Sequence, residues 1–114
     1  VCTRLMDFDW EKLKALVDRN GTSRDWIEIV VSDNRNYATY THELPGQSSG
    51  SDLHSDGNRW WVVLQGKITW SVEGEESFVA DPGDVVYLEK DTRYSIKTTG
   101  ELSSIRLTVS APII

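Results

Sequence analysis

Arg59-Trp60-Trp61-Val62-Val63-Leu64-Gln65-Gly66-Lys67-Ile68-Thr69-Trp70-Ser71-Val72-Glu73-Gly74 holds two runs of β-branched and aromatic residues, 60–65 and 67–73, separated by Gln65-Gly66 and closed by Glu73-Gly74. Such runs with glycine turns between them read as a pair of strands. Side chains alternate across a strand, so Trp61 and Val63 share a face with Arg59, while Trp60, Val62 and Leu64 take the other. One tryptophan is therefore expected inside and one outside.

The same short period continues outward. Downstream, strands are predicted over 77–80, 84–88, 93–98 and 101–109; upstream, over 25–31 and 37–44, each bounded by polar turns. Many short strands at close spacing predict an all-β sandwich or closed barrel. Before them, Asp9 to Gly21 places Trp10, Leu13, Leu16 and Val17 on one helical face, with Asp9 as N-cap and Gly21 as the residue that ends the helix. The result is one domain: a helical segment over 1–24 and a β-barrel over 25–114. The longest irregular stretch, 45–58, is expected to rim a pocket.

Composition sets outer bounds. A chain of 114 residues with 39% hydrophobic and 26% charged residues suits a single folded domain. The net charge of −6 disfavours phosphate backbones and anionic lipid surfaces, so neither nucleic acid nor membrane is an expected partner. Cys2 is the sole cysteine and forms no internal disulfide, no apolar run approaches a membrane span, and the start lacks a signal peptide's apolar core, which together predict a cytoplasmic protein. Val1 rather than Met opens the sequence, compatible with removal of an upstream segment.

Several ordered features resemble the cupin superfamily. Leu44-Pro45-Gly46, Leu53-His54-Ser55-Asp56 and Arg59 to Gly66 are similar to the first cupin motif, a glycine, a His-x-His pair, a glutamate and a later glycine. Asp81-Pro82-Gly83-Asp84-Val85-Val86-Tyr87-Leu88 and the following turn are similar to the second, and Lys67 to Gly74 matches the hairpin between them. The resemblance covers about residues 37–110 and implies an antiparallel double-stranded β-helix, or jelly roll. It also implies a small molecule in the barrel and a homodimer, with Trp60 near the contact.

The departures from the motif bear on function. The family's three histidines and one glutamate hold a divalent transition metal; here His54 stands at the first histidine, Asp56 at the second, Arg59 at the glutamate and Tyr94 at the last histidine. Two readings follow. In the first, Asp56 pairs with Arg59, Tyr94 joins the same network, and the cavity binds an anionic or sugar-like ligand without metal. His54 and Tyr94 are then the candidate acid-base groups, and Arg59, Trp61, Tyr40 and Trp70 are binding residues beside Asp56. In the second, His54 and Asp56, two apart on one strand face, hold zinc, iron, manganese or nickel with His42 or Tyr94, as in a cupin dioxygenase, isomerase or lyase. A third possibility is a non-catalytic interaction module. Other chemistries find little support: Cys2 has no basic neighbour to activate it, Ser48-Ser49-Gly50-Ser51 lacks a nucleophile's strand-turn-helix setting, and Glu73, Glu75 and Glu76 read as solvated charge on a hairpin turn.

Overall fold

The computed structural model describes residues 13–49 and 57–112. One helix, α1 (Leu13–Asn20), precedes nine strands: β1 (Trp26–Ser32), β2 (Tyr37–Glu43), β3 (Ser48–Ser49), β4 (Gly57–Gln65), β5 (Lys67–Val72), β6 (Phe78–Ala80), β7 (Val85–Leu88), β8 (Tyr94–Thr99) and β9 (Ser104–Pro112). Asp9 and Trp10, expected to open the helix, lie outside the described residues. The described helix is too short to cross a membrane.

The strands form two antiparallel sheets, β1-β2-β9-β4-β7 and β3-β8-β5-β6, and the chain passes repeatedly from one to the other. This is the jelly-roll pattern of a double-stranded β-helix. Gly66 turns the corner between β4 and β5, with φ of 79°; a Cβ there would lie 2.7 Å from the Ser103 carbonyl oxygen. Both the left-handed backbone and the close approach require glycine. The turn after β6 is tied back to β4, because Gly83 N donates to Val63 O at 2.8 Å and Val63 N to Asp84 O at 3.0 Å.

Local chemistry explains the other boundaries. Asp33 ends β1 by accepting hydrogen bonds from the amides of Arg35 (2.8 Å) and Asn36 (2.7 Å), an Asx turn that aims the chain into β2. Those two amides hold the Asp33 carboxyl below its usual value. Gly21, at φ of 82°, closes α1 through a 2.7 Å bond from its amide to Val17 O. Strand β3 falls inside the stretch expected to be irregular. Two serines carry no apolar period, and the strand exists because β8 supplies hydrogen-bonding partners opposite Ser48 and Ser49. The last strand begins at Ser104, three residues later than expected, because 101–103 form the turn from β8.

The interior divides into two halves. Trp61, Val63, Ile68, Trp70, Ala80, Val86, Tyr94 and Ile96 make a continuous apolar core between β4, β7 and the second sheet. On β2 and β9 the buried positions include Thr39, Thr41, Glu43, Ser104, Arg106 and Ser110.

Candidate functional site

Register decides which side chains meet. On the first sheet Arg59 lies opposite Ser110, Trp61 opposite Thr108 and Val63 opposite Arg106, while Thr41 lies opposite Arg106 on the other side of β9. Paired residues share a sheet face, so these form the inner surface. Across the gap, β8 contributes Tyr94 and Ile96, and β3 contributes Ser49. Together Ser49, Arg59, Trp61, Tyr94, Ile96, Arg106 and Thr108 line a cavity of about 200 Å³. Arg59 and Thr108 also border an outer recess of about 500 Å³, which extends along β1 and β2 past Ile27, Tyr37 and Thr39.

Within the cavity, Arg59 Nη1 donates to the Tyr94 hydroxyl at 3.1 Å and its Nε to Ser110 Oγ at 3.1 Å. Trp61 packs its ring edge-to-face on Tyr94, 5.3 Å between centroids, and on Trp70 at 5.8 Å. Behind them, Arg106 Nη1 lies 3.2 Å from Glu43 Oε1, an ion pair with both side chains 6% exposed. Arg106 Nη2 donates to Ser49 Oγ at 2.8 Å, and Thr98 donates to Glu43 at 2.8 Å while meeting Ser104 at 2.7 Å. Arg106 Nε is buried with no hydrogen-bond partner among the described residues. The charged groups among the described residues that line the inner cavity are thus two guanidinium groups, and Glu43 balances one of them from behind.

Three of the expected site residues are elsewhere. Tyr40 and His42 pair with Leu107 and Ile105, which places them on the outer face of the sheet, opposite Arg59 and Trp61. Tyr40 is therefore corrected as a cavity residue. His42 is corrected as a metal ligand: it is fully buried, its Nδ1 sits 2.8 Å from Arg24 O and its Nε2 3.0 Å from Ser103 Oγ, and Trp26 stacks on it at 5.4 Å and 9°. Both ring nitrogens are engaged in holding the outer layer together. Trp70, expected to bind ligand, belongs to the core between Trp61 and Phe78 and does not line the cavity. His54 and Asp56 lie outside the described residues.

Sequence reasoning overlooked Glu43, Ser49, Thr98, Ser104 and Arg106. The available signal was Arg106 itself, a charge at an alternating position in the apolar strand Ile105 to Val109, at the same parity as Thr108.

A family model of the cupin domain matches residues 40–110. The chain belongs to the cupin family. A protein from Thermus thermophilus is 22% identical, with a TM-score of 0.78 over 92% of this chain and 98% of that one. A cupin superfamily protein from Desulfitobacterium hafniense is 17% identical, with a TM-score of 0.77 over 97% and 100%. A predicted oxalate decarboxylase from Thermotoga maritima is 21% identical, with a TM-score of 0.70 over 76% and 79%. At these identities the likeness is one of fold. No curated protein sequence matches the chain.

The metal implied by the cupin fold does not fit the described part of this site. A guanidinium has no lone pair to give and repels a cation, and Arg59 and Arg106 both line the cavity. No group of three or more His, Cys, Asp or Glu side chains suited to a metal ion occurs among the described residues; a ligand set needs about that many.

Proposed function

We propose that this cupin binds a small anionic molecule, an acidic sugar or a carboxylate, between its two sheets. The observation that carries this reading is the convergence of Arg59 and Arg106 with the hydroxyls of Tyr94, Ser49 and Thr108 on one cavity. A planar guanidinium fork matches a carboxylate or phosphate, and hydroxyls supply either donors or acceptors for a polyol. Trp61 and Ile96 give the same cavity an apolar wall for the ligand's carbon skeleton. About 200 Å³ corresponds to roughly seven water molecules' share of liquid volume, so the anionic end enters the inner cavity and a larger remainder extends into the recess beside Thr39 and Tyr37.

Chemistry on such a ligand would run through Tyr94. Because its hydroxyl accepts a hydrogen bond from Arg59, a phenolate formed by proton loss to the ligand would be stabilised where it forms. His54 is the second candidate acid-base group. That some cupin neighbours are described as lyases or decarboxylases supports an enzymatic role as a further possibility of this fold. The metal-dependent reading rests on His54 and Asp56, and the candidate donor the described cavity offers it is Tyr94, beside two guanidinium groups that repel a cation.

Isothermal titration tests the proposal with a panel of small carboxylates, inorganic phosphate, uronic acids and neutral sugars. At least one anion is expected to bind in the absence of added metal, and Arg59→Ala is expected to weaken it at least tenfold. Binding of neutral sugars alone, or binding unchanged in Arg59→Ala, would overturn the anionic reading. Binding that appears only with added zinc, iron, manganese or nickel would favour the metal-dependent one.

A further inference from the structure

A second concavity lies away from the cavity described above. It is an open groove of about 1040 Å³ between the β5-β6 hairpin and β7. Among the described residues β6 and β7 end their respective sheets, and all four residues of β7 line this groove, so β7 turns to it an edge with no described ladder partner. Its floor is apolar: Val72 and Leu88 pack against the core, and Phe78 stacks on Trp70 at 6.0 Å with the rings nearly parallel. Phe78, Val85 and Tyr87 remain 39%, 63% and 54% exposed. Contiguous apolar exposure of this kind on a small domain marks an interaction surface.

The rim is acidic. Glu73, Glu75, Glu76 and Glu89 line the groove, and no lysine or arginine is among its described lining residues. Glu73 has Arg93 at 3.8 Å, a long contact between exposed groups that leaves most of the field in place. Four carboxylates on the rim repel a second copy of this chain, which would bring four more, and attract a cation. An edge strand, an apolar floor and an acidic rim are together complementary to an extended segment with apolar and basic side chains on alternate positions.

We infer that this groove is a docking site for a short, extended, basic-apolar peptide segment of another protein, added as a strand beside β7. The four residues of β7 span about 13 Å, so the segment pairs over about four residues. Its apolar side chains rest on Phe78, Val72 and Leu88, and its lysines or arginines reach Glu75, Glu76 and Glu89. The groove was not expected from the sequence, where the hairpin glutamates read as solvated charge. The inference is independent of the ligand in the inner cavity.

The test uses a fluorescent, end-blocked hexapeptide alternating valine and lysine, with fluorescence anisotropy as the readout on the full chain. Binding is expected at low ionic strength, weakened at least tenfold by the Glu75→Lys/Glu76→Lys double variant and at least fivefold by Phe78→Ser. Glu75 and Glu76 are exposed turn residues, so the double variant is expected to keep the wild-type circular dichroism and melting temperature. A peptide methylated on its backbone nitrogens is expected to lose binding, since it cannot complete the edge pairing. Equal binding of a serine-lysine peptide would reduce the groove to charge attraction and overturn the proposal, as would affinity unchanged in the double variant. Concentration-dependent self-association that the same double variant abolishes would assign the groove to a second copy instead.

Discussion

Two buried polar clusters occupy opposite faces of the same sheet, and they differ in what surrounds them. On the outer face, His42 is enclosed: Trp26 stacks on it, Arg24 O and Ser103 Oγ take its two nitrogens, and Trp26 Nε1 bonds Gly21 O at 2.9 Å to seat the end of α1. On the inner face, Arg59 and Arg106, met by Tyr94 from the second sheet, are also hydrogen-bonded, yet they surround open volume. A histidine is the residue type more often associated with chemistry, but here it serves packing, and the arginines line the space a ligand can enter. What separates them is strand parity and the covering layer rather than residue type.

The sharpest test of this contrast removes the charge behind the cavity. Glu43→Ala leaves Arg106 buried without its partner and is expected to cost about 3–5 kcal/mol, read from urea unfolding. Replacing both, as Glu43→Leu/Arg106→Met, is expected to recover most of that loss while abolishing anion binding. A stability loss below about 1 kcal/mol for Glu43→Ala would mean that water already reaches the pair.

His42→Ala is expected to cost about 2–4 kcal/mol through the lost stack and two unpaired groups. Anion affinity should be unchanged, because the residue lies on the other face. A selective loss of binding with stability intact would break the distinction between the clusters. Gly66→Ala forces a Cβ against the Ser103 carbonyl, and Ser103 is also the residue that bonds His42. About 2 kcal/mol is expected from the left-handed backbone and this contact, again without effect on the cavity.

Tyr94→Phe is the mildest change in the inner cluster. Loss of one hydrogen bond from Arg59 predicts about 1 kcal/mol in stability, with a clear loss of anion affinity or of any turnover in a titration at fixed pH. The smallest effect concerns the helix. Glu28 is held below its usual value of 4.5 chiefly by the hydrogen bond from Asn20, with Arg19 adding to it. The unfolded chain therefore takes up this proton first as pH falls, so the contribution is present above pH 4.5 and fades below it. Glu28→Gln should flatten that part of the acid-unfolding curve slightly and leave the neutral range unchanged.

Much of the architecture was legible from residues 59–74 and the runs around them, because period-two alternation and glycine turns are local properties. The helix stop at Gly21 and the placement of Trp60 and Trp61 on opposite faces of β4 follow from the same local rules. Strand β3 was not legible, since Ser48 and Ser49 form a strand only where β8 runs beside them. Tyr40, expected to bind ligand, and His42, expected as a possible metal ligand, share one parity on β2, but parity within one strand does not say which parity faces in. That depends on the register of β2 against β9 and of β9 against β4.

The same reason separates what the sequence by itself determined from what tertiary structure decided. Alternation, turn chemistry and the spaced motif features around His54, Arg59 and Gly83 are written along the chain, and they determined an all-β cupin with an altered ligand set. The meeting of Glu43 with Arg106, 63 residues apart, was decided by the pairing of β2 with β9, whereas that of Arg59 with Tyr94, 35 apart, was expected from the motif positions and is realised where the two sheets face each other. Charged and hydroxyl groups come to face one common space here only when two sheets close on them, and burial there lowers the local dielectric around the guanidinium groups.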